Sequence, residues 1–309
     1  MAQLVSPSVG FIGLGRMGSN MATRLQDAGH HVIGYDFDQK VIQDAIKIGL
    51  QTVNTPKELV DRLGKPRVIW LMLPAGEPTQ NVIQLMTEYL QTNDILVDGG
   101  NSNYKDTIRM GKSVRDAGFE FVDVGTSGGI WGLSHGYCLM VGGSNQTFEQ
   151  LTPILESLSA GKGQGYGHVG PLGSGHFVKM VHNAIEYALM EGYAEGFELL
   201  KAKGEFNLDL AQISRIWQSG SVVRSWLLEI TQEVLDENQN LDNIQSYVED
   251  SGEGRWAVEE SLELGIPVPS ISLALQARFR SRQPEPFGLK LMAAMRQKFG
   301  GHSVRSKPQ

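Results

Sequence analysis

The feature that most constrains this chain is a glycine turn set between two apolar runs near its start. Residues 8–14 (SVGFIGL) form a short run of β type that leads into Gly13-Leu14-Gly15-Arg16-Met17-Gly18. A helical pattern follows over 19–28, Gly29 ends it, and 31–36 (HVIGYD) is a second β-type run. Strand, glycine turn, helix and strand in this order make the first unit of a dinucleotide-binding fold. Each glycine has its own reason. The first allows a tight turn, the second lets the backbone approach a pyrophosphate, and the third lets helix and strand pack closely with the helix N-terminus aimed at the phosphates. The glycines alone are a weak signal, and the flanking strands are what strengthen it.

Asp36 closes the second run. A carboxylate there can accept hydrogen bonds from both adenosine ribose hydroxyls and would repel a 2′-phosphate, which favours NAD over NADP. The competing reading is a solvated turn aspartate, with Asp38 nearby. Further β-type runs lie at 67–73, 94–98, 119–124 and 137–141, with helical stretches such as 79–90 and 104–117 between them. This alternation predicts a mostly parallel sheet with crossover helices. Ligands of such sheets bind at the carboxyl ends of the strands. Three segments are expected there: 73–76 (LPAG), 98–102 (DGGNS) and 125–129 (GTSGG). Ordinary turn chemistry would explain any one of them. Three together predict a pocket in which Leu73, Pro74 and Asn101 join the glycine turn and Asp36 in holding the dinucleotide.

Residues 161–175 read as a glycine-rich connector, beyond which β-like runs nearly vanish. One long helical pattern covers 176–203, and others cover 208–217, 225–238, 247–264, 271–282 and 288–299. The expected architecture is an α/β Rossmann-type domain over 1–175, then an all-α domain over 176–309 for substrate binding and oligomerisation. In the long helix Lys179, His182, Asn183, Glu186 and Tyr187 fall at i, i+3, i+4, i+7 and i+8, on one stripe. Such a stripe is usually apolar and faces a core. This one holds a candidate base, a candidate acid and two imidazole or amide donors, which points to catalysis rather than to a solvated charge pair.

Composition narrows the partners. Charged residues make up 20% of 309 and the net charge is −7, which argues against nucleic-acid or anionic-membrane binding and requires a local basic pocket for any anionic substrate. No apolar run reaches the ~18 residues needed to span a bilayer. No signal-peptide pattern is expected at the N-terminus. The single cysteine, Cys138, reads as a strand residue, and no cluster has metal-ligand spacing. The expectation is a cytoplasmic protein without a metal.

With these residues in hand, the chain resembles the 6-phosphogluconate dehydrogenases of the β-hydroxyacid dehydrogenase superfamily. The resemblance covers nearly the whole chain and is carried by GLGRMG (13–18), DGGNS (98–102), TSGG (126–129), KMVHNAIEY (179–187) and RQKFGGH (296–302). It implies that Lys179 is the general base at the C3 hydroxyl and that hydride passes from C3 to the nicotinamide. It further implies that Glu186 protonates C1 of the enediol left after carbon dioxide departs, giving ribulose 5-phosphate. A lysine base needs a lowered pKa and a carboxylic acid donor a raised one. Asn101, Ser127, Gly128, Gly129, His182 and Asn183 match positions that hold the carboxylate and hydroxyls of the substrate. Tyr187, Arg278, Arg296 and His302 match positions that bind its phosphate, a task suited to the forked guanidinium. For Arg278 the competing reading is a solvated basic face shared with Arg280 and Arg282. In the family, the last Arg and His reach a neighbouring subunit, which implies a homo-oligomer, dimer or tetramer.

The chain departs from the family in three places. Ser251 stands where the family usually has a phosphate-binding lysine, so that one phosphate ligand is either weakened or replaced by Arg255. The chain matches the short class, without the enlarged helical domain of the long members. Asp36 replaces the Asn-Arg-Thr segment of NADP-specific members. Two other readings compete: a non-decarboxylating dehydrogenase acting on hydroxyisobutyrate or tartronate semialdehyde, and a catalytically silent nucleotide-binding protein. Glu186, Arg296 and His302 argue against the first, and the Lys179/Glu186 pair argues against the second.

Overall fold

The computed structural model of the protein describes residues 8–305. The chain divides into two compact units, Met1–His182 and Asn183–Gln309. In the first, strands and helices alternate: β1 (Val9–Ile12), α1 (Arg16–Asp27), β2 (Val32–Tyr35), α2 (Gln39–Lys47), β3 (Gln51–Thr52), α3 (Pro56–Arg62), β4 (Val68–Leu71), α4 (Glu77–Met86), β5 (Ile95–Asp98), α5 (Tyr104–Ala117), β6 (Glu120–Ser127), α6 (Gly132–His135), β7 (Cys138–Gly142), α7 (Asn145–Leu158) and β8 (Tyr166–Gly170). The long helix α8 (Ser174–Ala202) begins in this unit and ends in the second.

The eight strands form one sheet in the order β3-β2-β1-β4-β5-β6-β7-β8. Every pairing is parallel except β6 with β7. The chain runs outward from β1 to β3 and then returns to place β4 on the other side of β1, so a switch point lies between β1 and β4. The central strands are buried on both faces, as parallel sheets require. Their side chains alternate accordingly. Val9, Phe11 and Trp70 enter one core with α1 and α7, while Ile12, Ile69 and Leu71 enter a second with α3 and α4. Several helices start at sequence-encoded caps: Asp38 for α2, Thr55 with Pro56 for α3, Asn103 for α5 and Ser144 for α7.

The second unit is helical: the rest of α8, α9 (Leu210–Trp217), α10 (Trp226–Glu237), α11 (Glu253–Leu264), α12 (Pro269–Ser281) and α13 (Phe287–Gly300). It has two small cores. Phe197, Leu210, Leu228 and Leu235 join α8, α9 and α10, and Tyr187, Ala274 and Leu275 join α8 to α12. No side chain of α13 is buried. Among the described residues, no helix is long and apolar enough to cross a membrane.

The α/β domain followed by an all-α domain is as expected, with differences in detail. The glycine-rich stretch 161–175 is not only a connector, because it contains β8. Tyr166 and His168 alternate with glycines there and both stack near Phe148 of α7. The glycines hid the alternation. Residues 125–127 belong to β6 rather than to a turn. Helix α11 starts at Glu253, not at 247, because Gly252 enters it with φ of +100°.

Candidate active site

The glycine turn joins β1 to α1. Gly13 has φ of +95°, and a Cβ there would lie 2.3 Å from the Met72 carbonyl oxygen. A Cβ on Gly18 would lie 2.0 Å from the Gly13 carbonyl oxygen, so helix and turn touch backbone to backbone. A Cβ on Gly15 would meet nothing within 4 Å. Two glycines are thus demanded by the fold, while the middle one stands beside open space. Gly15 is also the N-cap of α1 and offers no side-chain cap, so the first N–H groups of the helix are left for an anion. Leu14 is buried, Met17 half-buried and Arg16 exposed. Asp36 follows β2 and braces the turn: its Oδ2 accepts from Leu14 N at 2.7 Å and its Oδ1 from Asp38 N at 2.9 Å. A carboxylate has room for about two more acceptor bonds, enough for ribose hydroxyls. The turn, the bare helix end and the placed carboxylate fit a dinucleotide.

Two further loops leave the same ends of the parallel strands. After β4, Leu73 is half-buried and Pro74 exposed, and the Pro74 carbonyl oxygen accepts from Thr79 Oγ1 at 2.8 Å. After β5, the buried Asp98 accepts from Gly100 N at 3.1 Å and from Ser102 Oγ at 2.7 Å, leaving Asn101 as the exposed residue of that loop. At the end of β6, Ser127 Oγ lies 3.4 Å from His182 Nε2. Gly128 and Gly129 follow with φ of +128° and +51°, a pair of left-handed residues that bares successive backbone amides.

Lys179 is 7% exposed and sits on α8 against β6. A Cβ on Gly125 would lie 2.4 Å from Lys179 Cβ and 2.6 Å from Gly175 O, so glycine at 125 is what admits this turn of helix. The start of α8 is pinned by Asp123, a fully buried carboxylate on β6. Its Oδ1 accepts from Gly173 N and its Oδ2 from His176 N, both at 2.7 Å. Asp123 therefore caps α8 from the sheet, with its charge against the helix N-terminus. His176 is buried as well, with Nδ1 2.8 Å from Thr107 Oγ1.

The remaining stripe residues lie in the helical unit. Asn183 is buried and its Nδ2 donates to Glu253 Oε1 at 2.8 Å. Glu186 is half-buried. Tyr187 is buried, its hydroxyl accepting from Ser251 N at 3.0 Å and lying 3.1 Å from Ser251 Oγ. The Arg278 guanidinium stacks 3.6 Å from the centre of the Tyr187 ring and donates to Glu249 O at 2.8 Å. The structure therefore joins Tyr187 and Arg278. It does not leave Arg278 on a solvated face with Arg282. Arg255 and Arg282 share Asp250 instead, at 2.6 Å and 2.8 Å, and both lie over the Phe279 ring. Those two guanidinium groups hold the Asp250 carboxyl down at about 2. Arg296 on α13 and His302 just beyond it are exposed.

Residues 8–170 match the family described as NAD binding domain of 6-phosphogluconate dehydrogenase, and residues 175–286 match 6-phosphogluconate dehydrogenase, C-terminal domain. The chain is 41% identical over 300 residues to an NAD(+)-dependent, decarboxylating 6-phosphogluconate dehydrogenase of Haloferax volcanii, covering 97% of this chain and 99% of that one. The chain belongs to the 6-phosphogluconate dehydrogenase family. An NAD(+)-dependent, decarboxylating 6-phosphogluconate dehydrogenase of Bacillus subtilis is 38% identical over 90% of this chain, which spans 62% of that longer protein. Among solved structures, 6-phosphogluconate dehydrogenase of Plasmodium falciparum, studied with its cofactor NADP+ and its substrate 6-phosphogluconate, matches 97% of this chain and 66% of its own. The TM-score is 0.83 at 30% identity.

Within this 6-phosphogluconate dehydrogenase fold, three carboxylates had no place in the sequence reading. Asp123 sits inside FVDVGTSGG and looks like one more strand aspartate until its two backbone donors are seen. Asp250 and Glu253 flank the position where Ser251 replaces the family's lysine. The signal for them was a cluster of acids beside a glycine-rich entry to a helix, which sequence alone does not separate from a solvated turn.

Proposed function

We propose that this protein oxidises and decarboxylates 6-phosphogluconate to ribulose 5-phosphate and carbon dioxide, with NAD as oxidant. The observation that carries the reading is Lys179, a lysine buried against Gly125 on a helix turn capped by Asp123, with Ser127, Gly128, Gly129 and His182 at the adjoining strand end. The β1–α1 turn, Asp36 and the loops at Leu73, Pro74 and Asn101 hold the cofactor. NAD, when bound, supplies the hydride acceptor at its nicotinamide ring.

Lys179 Nζ takes the proton of the C3 hydroxyl as C3 is oxidised, and returns it to that oxygen when the C1 carboxylate leaves as carbon dioxide. The ketone at C3 is the sink for the electron pair of the broken C–C bond. Glu186, two turns along the same helix, then donates a proton to C1 of the enediol while Lys179 takes back the proton of the neighbouring hydroxyl, leaving the ketone of ribulose 5-phosphate. Ser127, the amides of Gly128 and Gly129, His182 and Asn183 hold the carboxylate and hydroxyls. Tyr187 and Arg278 bind the phosphate. With Arg255 committed to Asp250, the missing lysine at 251 is not made good by Arg255 within this chain. Arg296 and His302, exposed at the chain's far end, complete the phosphate site of a neighbouring subunit in a homo-oligomer, dimer or tetramer, of the cytoplasm. The test is Lys179→Met. It abolishes NADH formation while NAD still binds; retained turnover, or equal loss of NAD binding, refutes the assignment.

A further inference from the structure

The segment that replaces a lysine by Ser251 carries another unusual side chain two residues on. Glu253 is the first residue of α11 and is 2% exposed. One carboxylate oxygen, Oε1, accepts the hydrogen bond from Asn183. The other, Oε2, is buried and has no hydrogen-bond partner among the described residues. Its neighbours dock on the same face of α8. Ser251 holds the Tyr187 hydroxyl, and a Cβ on Gly254 would lie 2.7 Å from the Tyr187 ring.

A carboxylate accepts hydrogen bonds and cannot donate them, so the atom of Asn183 that faces it is Nδ2. An asparagine amide has two ends of nearly equal shape, and an ordinary neutral partner would tolerate either. Glu253 tolerates one. The carbonyl end of Asn183 is thereby turned away from Glu253 Oε1. Stability gives no reason for this arrangement. A buried carboxylate with an unsatisfied oxygen is costly, and apolar replacements of buried charges are often neutral or stabilising. Costly polar groups kept in a fold mark sites where function sets the requirement.

We infer that Glu253 is a positioning residue: it fixes the amide of Asn183 so that one end always faces the polyhydroxy acid. The inference rests on the functional reading above for the identity of that ligand, not for the Asn183 geometry. Three variants test it: Glu253→Met, which removes the acceptor at similar volume, Glu253→Gln, which keeps an acceptor oxygen, and Asn183→Ala. Glu253→Met should raise KM for 6-phosphogluconate about tenfold or more, the worth of a charged hydrogen bond. NAD affinity should be unchanged. Glu253→Gln, which keeps an acceptor but tolerates either end of the Asn183 amide, should raise KM less than Glu253→Met does, while the melting temperature stays level or rises.

Glu253→Met combined with Asn183→Ala should be no worse than Asn183→Ala alone. Losses that multiply would mean that Glu253 meets the ligand directly and would overturn the inference. So would a Glu253→Met protein that melts early with wild-type KM, the mark of a structural role. The Asn183 side-chain amide protons, followed by NMR without substrate, give a readout independent of turnover. Slow exchange in wild type and faster exchange in Glu253→Gln support the latch even if 6-phosphogluconate is not consumed, an outcome that would sink only the functional reading. Fast exchange in wild type overturns the latch even if turnover is normal.

Discussion

Gly15 and Gly18 sit three residues apart in one turn and should fail in opposite ways when given a methyl group. At Gly18 the new Cβ would lie 2.0 Å from the Gly13 carbonyl oxygen, 3.0 Å from the Gly13 carbonyl carbon and 3.3 Å from Met72 Cβ. The first contact is more than 1 Å inside an ordinary C···O approach of about 3.3 Å. The atom in the way is backbone in a turn whose φ only glycine adopts readily, so it cannot swing aside. Overpacking of this kind costs about 1–3 kcal/mol, and this site belongs at the upper end. At about 2–4 °C per kcal/mol for a domain of this size, Gly18→Ala should lower the melting temperature by about 6–12 °C. At Gly15 no atom lies within 4 Å and φ is −57°, which alanine adopts freely. The loss of a favourable cap, about 1 kcal/mol at most, is offset by the entropy removed from the unfolded chain, about 0.4–1 kcal/mol. Gly15→Ala should therefore melt within about 2 °C of wild type. Its methyl group stands where a pyrophosphate would approach, so NAD affinity should fall at least about tenfold. Thermal unfolding by circular dichroism and NAD titration by intrinsic fluorescence decide the matter. A Gly15→Ala protein that binds NAD as wild type does, or melts as early as Gly18→Ala, refutes the reasoning.

Asp36→Asn keeps an acceptor for Leu14 N–H but removes the charge, so the ratio of NAD to NADP kcat/KM should fall several-fold; an unchanged ratio would make Asp36 a brace and nothing more. Asp123→Ala leaves Gly173 N–H and His176 N–H without their acceptor, at about 1–3 kcal/mol for each buried donor. Urea unfolding should show a loss of about 2–6 kcal/mol, and a midpoint equal to wild type would contradict the capping role. For Asp250 the folded pKa is about 2, below the ordinary 3.8. A lowered carboxylate pKa means stability that is full above about pH 4 and is lost as the pH falls through about 2, on the order of 2 kcal/mol in all. Asp250→Asn should remove that part of the acid dependence, visible as a smaller difference between urea midpoints at pH 5 and pH 2.5; identical differences in the two proteins would refute it.

The parts legible in the sequence are those whose constraints are local. Gly13 and Gly18 announce themselves because the turn and the close approach are made by residues a few positions apart. The stripe of Lys179, His182, Asn183, Glu186 and Tyr187 is legible because helical spacing alone puts those residues on one face. What stayed hidden depends on contacts distant in sequence. Asp123 acts on backbone groups fifty residues downstream. Asn183 and Glu253 are separated by seventy. Strand β8 was masked by glycines that supply no apolar alternation, and its signal lies in Tyr166 and His168 packing on Phe148.

The central claim is that oxidation and decarboxylation occur together on 6-phosphogluconate with NAD. The most direct measurement follows NADH by absorbance and carbon dioxide release in one reaction vessel, with NAD and NADP compared. The account predicts NADH and carbon dioxide in equal amounts, and faster reaction with NAD. NADH without carbon dioxide would contradict the assigned role of Glu186 and indicate a simple β-hydroxy acid dehydrogenase, and no reaction with either cofactor would contradict the substrate itself.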